Sequence, residues 1–153
     1  MAGAAHLLSA TRLNRLFNAG ELSAVEIVEA FLNRIQKVDP KINAFITVAG
    51  EQALARAKKL DARRQGGAGE LGSLAGVPIA VKDNICTEGI PTTCASRMLE
   101  GYIPPYDATV VERLQAAGAI IIGKTNMDEF AMGSSGEHSA MRPTRNPWNL
   151  EKV

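Results

Sequence analysis

A single lysine at the end of a short apolar run is the residue of this sequence best placed to do chemistry. The run, GVPIAVKDN, spans residues 76–84 and ends in Lys82 and two polar residues. Its apolar residues suit a strand covered on both faces, and Pro78 can open a strand because the first residue needs no ladder donor. Ligands of open α/β sheets bind at the carboxyl ends of strands, where a lysine held partly out of water has its ammonium form disfavoured. We therefore expect Lys82 to act as a base; the alternative is a lysine that caps the strand and pairs with Asp83 in solvent.

A second lysine lies in a pattern that is typical of phosphate binding. Residues 118–125, GAIIIGKT, match the phosphate loop G-x-x-x-x-G-K-[ST] letter for letter. A phosphate loop follows a strand and opens a helix, whereas here a predicted helix precedes Gly118 and three isoleucines fill the gap. Those isoleucines favour a buried strand, so we interpret the match as accidental and do not expect Lys124 to bind a nucleotide.

Histidine-based catalysis has little support in this sequence. The two histidines are His6, near the amino terminus, and His138, in a loop rich in serine, and no carboxylate is obviously placed to orient either ring. Serine activated by lysine is a known variant for which Lys82 could serve, but no convincing nucleophile is present.

Helices are predicted for the first part of the chain. Residues 9–18 read as a short helix closed by Gly20, and Ser23 with Glu26 forms a capping box that begins a second helix. Apolar residues recur on one face of that second helix, which we expect to end at Asp39 because the residue before proline avoids the α region. A β-rich segment over 41–48, a third helix over 51–65 and a flexible glycine-rich loop over 65–72 follow.

The remainder of the chain predicts a strand, a crossover helix and a second strand. After the Lys82 strand come turns with at most one helical turn, then a helix that Asp107 caps and that ends at Gly118. Its buried face is predicted to comprise Val110, Val111 and Leu114. The apolar run 119–122 reads as a central parallel strand, so the two strands should end at the same edge of one sheet. A short helix over 126–131 and an irregular stretch over 132–149 should face that edge.

Composition and charge exclude several classes of protein. Seventeen basic and sixteen acidic residues give a net charge of +1, which does not favour direct nucleic-acid binding, so any RNA contact would need a partner. Two cysteines provide neither a zinc site nor a secreted disulfide framework, which favours a reducing compartment. No signal peptide or membrane-spanning run is evident, and we expect a cytoplasmic location, with an organelle matrix as the open alternative.

Several long motifs occur in a fixed order and closely resemble the amidase signature family. They are LAGVPIAVKDN (74–84), GIPTTCAS (89–96), ATVV (108–111), the stretch from Gly118 to Ser135, and TRNPWN (144–149). The resemblance implies an α/β class and the first part of an α/β/α sandwich with a mixed central sheet. It implies that residues 1–153 form the amino-terminal part of one amidase domain, with a helical segment over 1–66 and the start of the α/β core over 74–153.

The resemblance also assigns roles to individual residues. Amidases of this family use a nucleophilic serine, a second serine with a cis peptide bond, and a lysine, and Lys82 matches that lysine. Met132, Gly133 and Ser134 match the loop that lines the amide substrate. The family's serines follow the Asn-Pro-Trp motif, whereas this chain ends at Val153. We therefore expect no amidase activity from the 153 residues alone.

The run TNMDEFAMGSS (125–135) is most similar to the A subunits of tRNA-dependent amidotransferases. Such a protein hydrolyses glutamine and supplies ammonia for converting misacylated Glu-tRNA(Gln) to Gln-tRNA(Gln), working with subunits B and C. The resemblance implies no cofactor in this chain, because a partner subunit uses ATP and Mg²⁺ and makes the main tRNA contact. Two alternatives remain open at this point: another amidase signature hydrolase of small amides, and a non-catalytic module that binds sibling subunits.

Overall fold

The computed structural model describes residues 2–67 and 69–153 and contains helices and strands of an α/β protein. The α-helices are α1 (Ala10–Asn18), α2 (Ala24–Ile42), α3 (Gly50–Gln65) and α4 (Thr109–Ala116). The strands are β1 (Phe45–Val48), β2 (Pro78–Lys82) and β3 (Ile120–Thr125). Short 3₁₀ helices span Ala2–Leu7, Arg97–Leu99 and Glu129–Ala131. The predicted order of helices and strands is thereby confirmed.

The chain divides into two compact units. The first comprises Met1–Ile35, Ala49–Ile79 and Glu112–Ile122, and the second comprises Gln36–Val48, Ala80–Val111 and Gly123–Val153. The predicted division into a helical segment over 1–66 and an α/β core over 74–153 stays a prediction. Within the described residues, no helix is both long enough and apolar enough to cross a membrane.

Phe17 is one of the largest fully buried side chains of the first unit. Its side chain is fully buried, and the guanidinium carbon of Arg64 lies 4.6 Å from the centre of its ring. Gly76 has a φ of +76°, and a Cβ at this position would lie 2.7 Å from the Phe17 ring. Glycine is therefore required here both by the left-handed backbone and by the close approach of the ring.

The amino terminus of α2 has each of its first three N–H donors paired. The Ser23 hydroxyl accepts a hydrogen bond from Glu26 N at 3.1 Å, and the Glu26 carboxylate accepts one from Ser23 N at 2.8 Å. The carboxylate of Asp61, from α3, accepts hydrogen bonds from Ala24 N and Val25 N. The predicted capping box is confirmed, and Asp61 adds a cap from a distant part of the sequence.

The predicted end of α2 at Asp39 is wrong. The helix continues through Pro40 to Ile42, and Asn43 follows in the left-handed conformation with a φ of 58°. Asn43 N donates to Asp39 O at 2.7 Å, and the Asp39 side chain accepts from Ala44 N at the same distance. Proline costs the helix one N–H donor, but near the carboxyl terminus these local hydrogen bonds hold the last turn.

The three strands form one mixed sheet with the order β1-β3-β2. In the second unit, β1 runs antiparallel to β3, with Thr47 opposite Lys124. Val77 O accepts from Ile120 N, and Thr125 O accepts from Asp83 N at the other end, so β2 and β3 run parallel and end at the same edge. This mixed sheet confirms the predicted α/β class.

Two predicted burial patterns are wrong. Strand β2 is not covered on both faces, because Val81 is buried whereas Ala80 and Lys82 are exposed. In α4, Val111 is fully buried but Val110 is 47% exposed. The glycine-rich loop predicted over 65–72 includes residue 68, which lies outside the described residues, and its flexibility stays a prediction.

The capping box generates a stability prediction. Ser23→Ala removes the side-chain acceptor for Glu26 N and should lower the free energy of unfolding of the 153-residue chain by about 1 kcal/mol. Urea denaturation at pH 7 measures this loss. An unchanged unfolding midpoint would contradict the capping role.

A pH series separates the contribution of the Glu26 charge. The hydrogen bonds from Ser23 hold the pKa of the Glu26 carboxyl below its ordinary value of 4.5. Because the folded-state pKa is lowered, this stabilisation is complete above 4.5 and is lost as the pH falls through the folded-state pKa. The advantage of the wild type over Glu26→Gln in urea denaturation should therefore shrink below pH 4.5. A difference in the free energy of unfolding between the wild type and Glu26→Gln that is the same at every pH would contradict this role of the Glu26 charge.

Candidate active site

Lys82 is the last residue of β2 and lines a cavity of about 370 Å³ in the second unit. Successive side chains of a strand point to opposite sides, so Lys82 is exposed while Asp83, the next residue, is fully buried. The prediction that Lys82 is partly shielded from water is therefore wrong for this chain. The alternative in which Lys82 pairs with Asp83 in solvent is wrong as well, because the Asp83 carboxylate has a different partner in the interior.

Two of the three residues predicted to bind the amide lie at the same cavity as Lys82. Gly133 and Ser134 line it together with Asn126, Ala131 and Thr144. Met132, between Ala131 and Gly133 in the chain, has a side chain that is 81% exposed. The structure thus gathers Lys82, Gly133 and Ser134 around one cavity, and the catalytic and binding roles assigned to them stay predictions.

The cavity is bordered by residues 128–136, which we call the cavity loop. The buried carboxylate of Asp128 accepts hydrogen bonds from Gly136 N at 2.9 Å and from His138 N at 2.8 Å. These two backbone donors hold the pKa of the Asp128 carboxyl below its ordinary value, so it is ionised at neutral pH. A Cβ on Gly133 would lie 2.5 Å from the Asp128 carboxyl carbon. The cavity loop is therefore folded tightly around one carboxylate.

A buried ion pair involves Asp83, the residue that directly follows β2. Lys124 Nζ is 3.4 Å from Asp83 Oδ1, and both side chains are completely buried. The ammonium also donates to Thr92 Oγ1 at 2.6 Å and to Ile85 O at 2.8 Å. The other carboxylate oxygen of Asp83 accepts from Thr93 N at 2.9 Å and from the Thr93 hydroxyl at 2.6 Å. The Lys124 ammonium and Asp83 Oδ2 thus have hydrogen-bond partners, whereas Asp83 Oδ1 makes no hydrogen bond within the described residues and depends on the ammonium alone.

Burial changes the ionisation of groups around this pair. It lowers the pKa of the Lys124 ammonium below its ordinary value, although the Asp83 carboxylate acts in the opposite direction. Burial, with the Asp83 charge as the second cause, raises the pKa of the Cys94 thiol above its ordinary value. Cys94 is thus held in its protonated, less nucleophilic form at neutral pH.

The interpretation of residues 118–125 as an accidental match agrees with the structure. Helix α4 precedes Gly118, β3 occupies the residues after it, and Lys124 is turned into the interior. Sequence reasoning nevertheless missed the ion pair. Extending the strand by two residues beyond Ile122 would have placed Lys124 on the same buried face, and a buried lysine requires a carboxylate.

His138, through its backbone carbonyl, and Ser135, through its hydroxyl, make local hydrogen bonds. Glu129 N donates to His138 O at 3.1 Å, and the Ser135 hydroxyl donates to the Glu137 carboxylate at 2.7 Å. Within residues 2–67 and 69–153, no group of three or more His, Cys, Asp or Glu side chains could hold a metal ion.

Comparison with known proteins places this geometry in a family. The family model described as Amidase matches residues 26–153. The chain therefore belongs to the amidase family.

Similar proteins include several curated bacterial relatives. Over 147 residues the chain is 72% identical to the A subunit of glutamyl-tRNA(Gln) amidotransferase from Symbiobacterium thermophilum, a match that covers 96% of this chain and 30% of the relative. It is 55% identical over 148 residues to the corresponding protein of Moorella thermoacetica, covering 97% of this chain and again 30% of the relative. The chain thus spans about 30% of the length of these curated relatives.

Solved structures agree with this assignment. The A subunit of glutamyl-tRNA(Gln) amidotransferase from Thermotoga maritima superposes with a TM-score of 0.67 at 42% identity, over 84% of this chain and 25% of that one. The peptide amidase from Stenotrophomonas maltophilia superposes with a TM-score of 0.83 at 34% identity, over 93% of this chain and 30% of that one. These similarities confirm the resemblance that the motifs indicated.

The buried ion pair generates a prediction of non-additive stability. Lys124→Met leaves the Asp83 carboxylate buried without its counter-charge and should lower the free energy of unfolding by about 3 to 5 kcal/mol. Adding Asp83→Asn removes that charge while an amide oxygen still accepts from Thr93, so the double variant should be more stable than Lys124→Met alone. Urea denaturation of the wild type, both single variants and the double variant measures the coupling. Additive losses would contradict a direct interaction.

Proposed function

We propose that this chain is the amino-terminal part of the glutamine-hydrolysing A subunit of a Glu-tRNA(Gln) amidotransferase. The observation that carries the proposal is that Lys82, Gly133 and Ser134 line one cavity in a chain 72% identical to such a protein over 147 residues. The family's serines follow the Asn-Pro-Trp motif, so we assign them to a segment outside these 153 residues.

In the proposed reaction Lys82 is the base that starts attack on the amide of glutamine. Its neutral amine accepts a proton, through the cis serine, from the nucleophilic serine, whose oxygen bonds to the amide carbon. The carbon–nitrogen bond then breaks and the proton returns to the leaving nitrogen, which departs as ammonia. Water hydrolyses the acyl-enzyme to release glutamate and regenerate the serine.

This role requires that Lys82 be less solvated in the whole protein than in the present chain. Removal from water disfavours the charged form of a lysine side chain and so favours the neutral amine that a base requires. We assign the missing cover to the same outside segment that contributes the serines. Gly133, Ser134 and the exposed Met132 would then form one wall of the closed amide site.

The partners follow from the same proposal. We infer assembly with subunits B and C, in which the B partner activates misacylated Glu-tRNA(Gln) with ATP and Mg²⁺ and receives the ammonia. The near-neutral charge of this chain supports a tRNA contact made mainly through the partner. The cytoplasm of a bacterium is the location consistent with this role.

A chimeric protein, which we call the chimeric subunit, tests the proposal. The chain replaces the aligned 147-residue segment of the full-length Symbiobacterium relative, which is co-expressed with its two partner subunits. Lys82→Ala should lower the rate of ammonia release from glutamine by about 10⁴-fold or more, because members of a catalytic triad act as a unit. Co-purification of the partners should be unchanged.

Lys41→Ala is the matched control, since Lys41 is an exposed lysine that does not line the cavity. This control should retain wild-type glutaminase activity. An inactive wild-type chimera, or a Lys82→Ala chimera that hydrolyses glutamine normally, would overturn the proposed function. Loss of partner binding in Lys82→Ala would favour a structural role instead.

A further inference from the structure

We propose that the hydroxyl of Thr93 is a positioning group for the cavity loop. Through hydrogen bonds it connects the buried Lys124–Asp83 ion pair to two strained turns. The first turn is at Cys94 and Ala95, and the second lies within the cavity loop. Thr93 does not line the cavity, so it acts through other residues. This inference rests on the proposed function, because it assigns to Thr93 the placement of the wall that binds the amide.

The Thr93 hydroxyl uses both its donor and its acceptor capacity inside the protein. It donates to Asp83 Oδ2 at 2.6 Å and accepts from Ala95 N at 3.1 Å. The residue is 5% exposed, so water does not readily replace either partner. The hydroxyl is therefore a fixed link between Asp83 and the backbone two residues further along.

The backbone that this link holds is strained. Cys94 and Ala95 both have a φ of 52°, a conformation that non-glycine residues seldom adopt. Cys94 N donates to Asp83 O at 3.1 Å, and Ala95 N donates to the Thr93 hydroxyl. Because such a conformation persists only when its surroundings hold it, the turn depends on Asp83 and on Thr93.

The strained turn at Cys94 and Ala95 holds a second strained turn, which lies in the cavity loop. Cys94 O accepts from Phe130 N at 2.9 Å, and Phe130 and Ala131 have φ values of 51° and 61°. Ala95 O accepts from Ala140 N, also at 2.9 Å. Two left-handed pairs are thus joined by a backbone hydrogen bond, and Ala131 lines the cavity.

The rest of the cavity loop transmits this placement to the amide wall. Ala131 N donates to Asp128 O at 2.9 Å, and the Asp128 carboxylate holds the far end of the loop through Gly136 N. Gly133 passes so close to that carboxylate that a shift of the loop must move Gly133 and Ser134 with it. Loss of the Thr93 hydroxyl should therefore displace Gly133 and Ser134, which form the wall proposed to bind the amide.

The test uses three variants of the chimeric subunit. Thr93→Val removes the hydroxyl at nearly constant shape, and Thr93→Ser retains it. Thr87→Val is the matched control, since Thr87 is a buried threonine of the same unit whose hydroxyl donates to Ile85 O at 3.2 Å. Glutaminase kinetics give kcat and KM, and hydrogen–deuterium exchange reports on residues 129–136.

We expect Thr93→Val to raise KM for glutamine by about tenfold or more, since small misplacement of a binding group is costly, with a smaller fall in kcat. Thr93→Ser should restore KM to within about threefold of the wild type. Exchange of residues 129–136 should be faster in Thr93→Val and unchanged in Thr87→Val. The proposal would be overturned if Thr93→Val and Thr87→Val had the same KM for glutamine, or the same exchange rate over residues 129–136. It would also be overturned if Thr93→Ser failed to restore the wild-type KM and exchange rate.

The two readouts separate this inference from the proposed function. If the wild-type chimera releases no ammonia, the proposed function fails, while the exchange comparison still supports or overturns the role of Thr93. If the chimera is active and Lys82→Ala is inactive, unaltered KM in Thr93→Val overturns the positioning role alone.

Discussion

The candidate site depends on one buried ion pair. A lysine ammonium and a carboxylate, both removed completely from water, depend on each other and on the polar groups around them. Lys124 donates to Thr92 and Ile85, and Asp83 Oδ2 accepts from Thr93. In the part of the chain that the structure describes, Asp83 Oδ1 makes no hydrogen bond and has only the Lys124 ammonium, 3.4 Å away, so its stability depends on that counter-charge. The pair therefore fixes the chain beyond β2, a segment with little regular secondary structure of its own. Interactions of this kind define geometry more than they add stability, since apolar residues of similar shape would cost less to bury.

The position of the pair explains how an irregular segment can build an ordered cavity. Asp83 directly follows Lys82, so fixing the buried carboxylate also fixes the backbone from which the exposed lysine extends. The same carboxylate supports the turn at Cys94 and Ala95, whose carbonyl groups accept hydrogen bonds from Phe130 and Ala140. The positions of Lys82 and of the cavity loop therefore both depend on the buried carboxylate of Asp83. Strain in the two turns is consistent with a functional site, where such conformations concentrate.

Sequence reasoning predicted the helices and the strands, because these depend on periodicity and on local motifs. The family resemblance singled out Lys82, Gly133 and Ser134, which share the cavity, together with Met132, which does not line it. The capping box of Ser23 and Glu26 is a local signal and was predicted correctly, whereas the end of α2 was not, because Asn43 and Asp39 stabilise a last turn that proline alone would disfavour. The burial of Lys82 was overestimated, since an apolar strand does not reveal which neighbours cover it. The Lys124–Asp83 pair was missed because its partners lie far apart in the sequence and only the pairing of β2 with β3 brings them together. Likewise, no local pattern reveals that Asp61 caps α2.

A crystal structure of the chimeric subunit carrying Lys124→Met and Asp83→Leu, which together remove both charges and the side-chain acceptor for Thr93, tests most directly whether the ion pair sets the geometry of the cavity. If it does, the strands will superpose on those of the wild type, while Cys94 and Ala95 leave the left-handed region and Gly133 and Ser134 move away from Lys82. If both turns and the cavity loop keep their wild-type positions without the two charges, the ion pair is not what positions the site.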